Sequence, residues 1–215
     1  MSTIPKIIYQ IFLDSDEKDV NYKKVFQEKI NLMFQKNPHY EHVFITEEYQ
    51  LINWLNDNYD PIVLDVYRKI KERESKINYA KYLMLYKTGG IYLDPFIYTI
   101  CDLDIIVDIY ALVSASSDKK EYSDDILIFP KEHPILCRVV ELMFKYISQN
   151  TYLMDAEETT GIKLLSKAIK ISHFLEYNNN VNLNKMKDDD IYTFRNKNLP
   201  YKIYTPLFNG FFQRI

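Results

Sequence analysis

The stretch from Ser75 to Tyr98, SKINYAKYLMLYKTGGIYLDPFIY, constrains the fold of this chain more than any other. From Tyr79 to Tyr86 nearly every side chain is apolar or aromatic, the pattern of a helix buried around most of its circumference. Asn78 and Lys81 interrupt it. At i and i+3 they are neighbours on one helical face, so a polar stripe points out of an otherwise apolar cylinder. A buried stripe of that kind needs a partner. Gly89-Gly90 ends the helix, because glycine tolerates the left-handed conformation of a C-cap, and Ile91-Tyr92-Leu93 begins a short apolar strand that runs into Asp94. Open α/β sheets bind ligands at strand carboxyl ends, which is where this acid stands. Two readings follow. Asp94 faces a ligand, or it begins a turn whose φ is fixed by Pro95 while Lys81 extends its stem to solvent.

The flanking segments supply a sheet for that strand. Ile4 to Phe12 is an apolar, β-branched run suited to a fully buried strand. From Val20 to Gln35 the positions Tyr22, Phe26, Ile30, Met33 and Phe34 recur at helical spacing, and Pro38 ends that helix. His42 to Ile45 is a second short strand. Thr46, followed by Glu47 and Glu48, has the form of an N-cap with an acidic first turn, and helices continue to about Ile70. This βαβ opening predicts an α/β fold with a mainly parallel central sheet flanked by helices. Trp54 packs with Leu51, Ile52 and Leu55, and His39 and His42 are assigned no role.

After Asp94 the sequence predicts strands at Ile97–Ile100, Tyr110–Ser114 and Asp124–Phe129. A helix follows from Pro134 to about Tyr146, with proline in its first turn. Asp102-Leu103-Asp104 is a literal D-x-D, open to metal binding or to capping with Asp104 at an N-cap. Thr160-Gly161 opens a further helix through Ile171, by a tight turn or by letting an anion approach its N–H groups. Tyr201 to Ile215 gives a strand and an aromatic tail.

The 215 residues, 47% hydrophobic, suit a single domain spanning 1–215. A net charge of −3 leaves no global basic field, which argues against a nucleic-acid partner. Cys101 and Cys137 form no disulfide framework or metal spacing and are expected to be buried thiols. No run approaches the roughly 20 apolar residues that span a bilayer, so a soluble, cytoplasmic protein is expected.

The central stretch resembles the sugar-binding signature of the DXD-type glycosyltransferases of family 32, which include fungal initiating mannosyltransferases, and of related glucosylating toxins. Their pattern is S-D-x-x-R followed by L-x-x-x-G-G-x-Y-x-D-x-D. Leu85, Gly89, Gly90, Tyr92 and Asp94 fall on it, with the spacing from Asn78 to Asp94 kept. Asn78 stands where the family has Asp, Lys81 where it has Arg, and Phe96 where it has the second Asp. The opening I-P-K-I-I-H-Q-x-W is matched at Ile4 to Ile8 and Gln10, with Tyr9 for His and Phe12 for Trp.

The resemblance implies a GT-A-like, Rossmann-like fold that binds a UDP- or GDP-linked sugar and transfers the sugar to a glycan or protein acceptor. It places Phe12, Gln10, Asn78, Lys81, Gly90 and Asp94 in the donor pocket. Phe12 is either the face that stacks the base or a core side chain at a strand end. Asp124 and Asp125 fall in the region that faces the acceptor, which with Asp94 makes them the catalytic candidates. Relatives complete the pocket with a C-terminal His and Ser-Trp, for which Asn209 is the one polar substitute. They use Mn²⁺ or Mg²⁺ at the second acid. Phe96 cannot ligate, so Asp94 is the sole candidate ligand, and weak or absent metal dependence is expected. The alternatives are a catalytically inactive nucleotide-sugar or glycan binding module and a structural protein on the same fold.

Overall fold

The computed structural model describes residues 4–13, 20–99, 101–104, 112–115, 122–149, 155–178, 191–193 and 212–214. In chain order the strands are β1 (Ile7–Ile11), β2 (Glu41–Ile45), β3 (Gly90–Leu93), β4 (Ile97–Thr99), β5 (Leu112–Ala115), β6 (Tyr122–Phe129), β7 (Ile191–Thr193) and β8 (Phe212–Arg214). The helices are α1 (Val20–Lys36), α2 (Glu48–Asn58), α3 (Pro61–Lys69), α4 (Arg73–Thr88), α5 (Pro134–Ser148), α6 (Ala156–Thr159) and α7 (Ile162–Asn178).

Ile8, Tyr9, Gln10 and Ile11 are all buried, as expected of an inner strand covered on both faces. β1 pairs in parallel with β2 on one side and β3 on the other, and α1 makes the crossover between β1 and β2. The sheet continues through β6, β5 and β7, each antiparallel to its neighbour, in the order β2-β1-β3-β6-β5-β7. Strands β1, β2, β3 and β5 therefore share one direction, and β6 enters between β3 and β5 from the opposite end. β4 and β8 form a separate antiparallel ribbon.

Helix α4 lies between layers, against β1 and β3 on one side and α5 on the other. Tyr79, Ala80, Tyr82, Leu83, Met84 and Leu85 are wholly buried on it. Burial of each large apolar side chain here contributes about 1.5–3 kcal/mol to the hydrophobic core. The Tyr79 hydroxyl meets its hydrogen-bonding need by donating to the Val63 carbonyl at 2.9 Å. Gly89 caps the helix at φ 71°, its N–H donating to the Leu85 carbonyl at 2.8 Å. A Cβ on it would sit 2.5 Å from the Lys131 nitrogen, and one on Gly90, at φ 117°, would sit 2.8 Å from the Ile7 oxygen. Both positions therefore require glycine.

Local details differ from expectation in three places. The N-cap of α2 is Glu47 rather than Thr46, because Gln50 Oε1 accepts the N–H groups of both residues at 2.9 and 3.0 Å. Cys101 and Cys137 are half-buried rather than buried. The strand expected at Tyr110–Ser114 lies at Leu112–Ala115. His133 caps α5, Nδ1 accepting the Ile135 N–H at 3.2 Å, and burial pushes its pKa down to about 4. Among the described residues no helix is long and apolar enough to cross a membrane.

Candidate functional site

Parallel pairing of β1 and β3 brings their carboxyl ends to one sheet edge, with Phe12 following one strand and Asp94 the other. Asp94 does begin a turn. Its Oδ1 accepts the Phe96 N–H at 2.9 Å, and its carbonyl accepts the Ile97 N–H at 2.8 Å. Its own N–H continues the ladder to the Asp125 carbonyl at 2.7 Å. The turn uses one carboxylate oxygen. Among the described residues Oδ2 has no hydrogen-bond partner. Burial raises the Asp94 carboxyl above its ordinary value; the Phe96 N–H opposes the shift, Asp125 adds to it, Lys81 opposes it, and Asp124 adds a smaller rise.

Lys81 does not reach solvent. Its ammonium is 2.7 Å from Asp124 Oδ2, with the two side chains 4% and 14% exposed. The rings of Tyr82 and Tyr92 flank it at 5.1 and 5.0 Å. The Tyr82 hydroxyl donates to the same Asp124 oxygen at 3.3 Å. This ion pair is the partner that the polar stripe required, and losing either half would leave an uncompensated buried charge. Desolvation holds the Tyr82 and Tyr92 phenols well above their ordinary range, so both stay protonated.

Two buried polar groups beside this pair have no hydrogen-bond partner among the described residues, the amide of Asn78 and the hydroxyl of Tyr92. A buried polar group left without a partner costs on the order of 1–3 kcal/mol, which makes each of the two a candidate to meet a ligand. Tyr92 was matched to the signature in the sequence but assigned no role in the site, because it also reads as one more apolar member of a strand. Its alternation with Asp94, two residues on, was the signal available.

Gln10 is fully engaged by the fold. Its Nε2 donates to the carbonyls of Asp94 and Ile97 at 3.3 and 3.1 Å, and its Oε1 is 3.0 Å from His42 Nε2. Since the amide nitrogen already donates, the oxygen accepts and His42 carries its proton on Nε2. His42, packed between Phe34 and Phe44 and pushed by burial down to about 4, therefore supports the Asp94 turn through Gln10. Gly90 is accounted for by its approach to β1. Phe12 and Phe96 meet edge-to-face, ring centres 6.3 Å apart, with Phe96 44% exposed. Asp125 lies half-buried next to Asp94, its N–H on Ser123 Oγ at 3.2 Å. Asn209 lies outside the described residues.

The donor set does not fit a hard divalent cation, which needs about six oxygens. Asp94 offers one open oxygen, one oxygen of Asp124 holds Lys81, and a phenyl ring stands at 96. The literal D-x-D is elsewhere and differently used. Asp102 Oδ1 accepts the Asp104 N–H at 2.9 Å. The Asp104 carboxylate receives Lys6, His39 and Tyr40 at 2.8, 3.0 and 3.0 Å. His39, Asp102 and Asp104 place their ligand atoms within 4.8 Å of one another, but the Lys6 ammonium already supplies the cation there.

Residues 23–112 match the family described as glycosyltransferase sugar-binding region containing DXD motif. The chain is 24% identical over 149 residues to inositol phosphoceramide mannosyltransferase 1 of Schizosaccharomyces pombe, covering 68% of this chain and 44% of the relative. It is 28% identical over 177 residues to an uncharacterised glycosyltransferase of Acanthamoeba polyphaga mimivirus, covering 77% of this chain and 64% of that one. It thus spans less than two thirds of either relative. The solved PaToxG glycosyltransferase superposes with a TM-score of 0.59 at 13% identity, over 83% of this chain and 74% of that chain. Over residues 23–112 the chain is thus similar to the DXD-type sugar-binding region of glycosyltransferases, and its mixed α/β fold is that of the PaToxG glycosyltransferase.

Proposed function

We propose that the chain binds a nucleoside diphosphate sugar, holds the sugar between Asn78, Tyr92 and Asp94, and transfers it to a hydroxyl acceptor. The observation that carries this is two buried groups, the Asn78 amide and the Tyr92 hydroxyl, that find no hydrogen-bond partner among the described residues, as does one oxygen of the neighbouring Asp94. An amide offers donors and an acceptor, a phenol one of each, and a carboxylate accepts only, which together match the mixed demand of sugar hydroxyls. Lys81, neutralised by Asp124, fixes the geometry of that wall rather than acting as a free cation. Phe12 presents an aromatic edge and face at the same sheet edge, suited to a base.

In the transfer the acceptor oxygen bonds to the anomeric carbon as the bond from that carbon to the diphosphate oxygen breaks. The electron pair leaves with the diphosphate, which takes up the acceptor's proton. Asp94 and Asp125 stabilise the positive charge that develops on the sugar. The same acids favour a second reading. Asp94, Asp124 and Asp125 face a single lysine, a balance that disfavours a departing dianion and suits a binding module without turnover.

Thermal unfolding with UDP, GDP and their sugar conjugates, in Mn²⁺ or EDTA, separates these. A ligand at a hundredfold its Kd adds about 2.7 kcal/mol to stability. One nucleotide sugar should raise the midpoint equally in EDTA, and Asn78→Ala should abolish the rise. Release of free nucleotide then marks an enzyme, and its absence a binder. No shift with any nucleotide overturns both.

A further inference from the structure

Away from Asp94, a cavity of about 100 Å³ opens where the loop after α3 and the start of α4 meet the end of α5 and the junction of α6 with α7. That volume holds roughly three waters, or one edge of a six-membered ring with its hydroxyls. Ile70 and Ile147 form an apolar wall. Lys71, Glu72, Ser75, Thr159 and Thr160 make up the polar part of its wall, with Lys71 and Glu72 exposed.

The direction of the hydrogen bonds decides what this wall accepts. Thr159 Oγ1 donates to the Asp155 carbonyl at 3.0 Å, and Thr160 Oγ1 to the Ala156 carbonyl at 3.2 Å. Ser75 Oγ donates to Glu72 Oε2 at 3.4 Å. Each of these hydroxyls has committed its proton inward and keeps lone pairs for a ligand, and the second oxygen of Glu72 accepts as well. An acceptor-rich wall calls for a ligand rich in donors. A phosphate or carboxylate would meet lone pairs and the Glu72 charge. A cation would meet Lys71. Neutral hydroxyl groups on a ring whose C–H face lies against the isoleucines satisfy every surface.

The cavity is tied to the site already described through α4. Ser75, Asn78 and Tyr82 succeed one another at i+3 and i+4 on one helical face, with Lys81 beside them. At 1.5 Å per residue, Ser75 lies about 4.5 Å along the axis from Asn78, so a ring held at the cavity adjoins one held at Asn78. We propose that this cavity is the acceptor subsite, holding adjacent hydroxyls of a neutral sugar ring while the donor sugar occupies the Asn78–Tyr92–Asp94 wall. It rests on the transfer reading above.

Saturation-transfer NMR on the full chain tests it, with methyl mannoside and methyl glucoside as probes and inorganic phosphate as competitor. A glycoside should give signal that phosphate does not displace, and Glu72→Gln or Thr160→Val should weaken its binding about tenfold, the loss of one hydrogen bond. If Thr160→Val does not fold, Glu72→Gln at the exposed rim carries the test alone. Binding that both variants leave intact, or that phosphate displaces, overturns the proposal. Displacement by a nucleotide sugar but not by its nucleotide assigns the cavity to the donor sugar and overturns the acceptor role. Nucleotide binding without glycoside binding removes the cavity and leaves the transfer reading standing; glycoside binding in a chain that no nucleotide stabilises removes the transfer reading and leaves a sugar site.

Discussion

Two short acidic segments, Asp94-Pro95-Phe96 and Asp102-Leu103-Asp104, sit eight residues apart and have exchanged the roles their spelling suggests. The complete D-x-D is exposed and saturated. Asp102 closes a turn onto Asp104, and Asp104 is shared by Lys6, His39 and Tyr40. The incomplete motif sits at the carboxyl end of an inner strand, where Asp94 closes a turn with one oxygen and keeps the other. An acid becomes a ligand-binding group through its place on the sheet edge and through what the fold leaves unclaimed, and neither is visible in a three-letter pattern.

The largest test of that contrast is the charge behind each acid. Lys81→Met strands Asp124 in the interior and should cost about 3–5 kcal/mol in urea denaturation. The double variant Lys81→Met/Asp124→Leu should recover most of the loss, because it removes both charges at once. Lys6→Met strips an exposed pair from Asp104 and should move the midpoint little. Equal losses from the two lysine variants would mean that the inner pair is solvated and the two regions are electrostatically alike.

A smaller effect comes from restoring the motif. Phe96→Asp places a second carboxylate two residues from Asp94 and removes the ring that packs on Phe12. Nucleotide-sugar stabilisation should then become sensitive to EDTA, with affinity in Mn²⁺ about tenfold above that in EDTA, a difference of about 1.4 kcal/mol. Affinity that stays indifferent to metal would show that the turn at Asp94 holds residue 96 too far off, so that more than one substitution separates the two kinds of site.

Much of this frame was legible because it is written in local chemistry. The apolar run of α4, the glycines at positive φ and the strand ending at Asp94 follow from spacing and steric rules, and the β-branched start of β1 announces an inner strand. The partner of Lys81 was not legible. Asp124 is distant in sequence and arrives through the antiparallel entry of β6 beside β3, so its acid looked like one of two at a strand entrance. Gln10 matched the family's opening, but its use in fixing the Asp94 and Ile97 carbonyls depends on β1 and the turn lying side by side. Cys137 looked apolar in its neighbours yet faces Glu141, 3.8 Å away, at the rim of α5.

The smallest expected effect is also the one that reads the two acids directly. The folded Asp94 carboxyl is raised above its ordinary 3.8, chiefly by burial, so the folded state binds its proton more tightly than the unfolded one. The stability that this supplies is fully present below pH 3.8 and is lost as pH rises through the folded value. Asp94→Asn should therefore raise the urea midpoint at pH 7, with the gain closing as pH falls to 3.8. Asp104 is held down to about 2, first by Lys6 and then by His39. Its contribution is present above 3.8 and is lost as pH falls through about 2, so Asp104→Asn should lower the midpoint at pH 7 and converge with wild type below that window. Carboxyl carbon NMR of the unmodified chain should show the two titrations on opposite sides of 3.8. If both fall on the same side, burial and pairing do not distinguish the two segments, and the assignment of the open site to Asp94 loses its electrostatic ground.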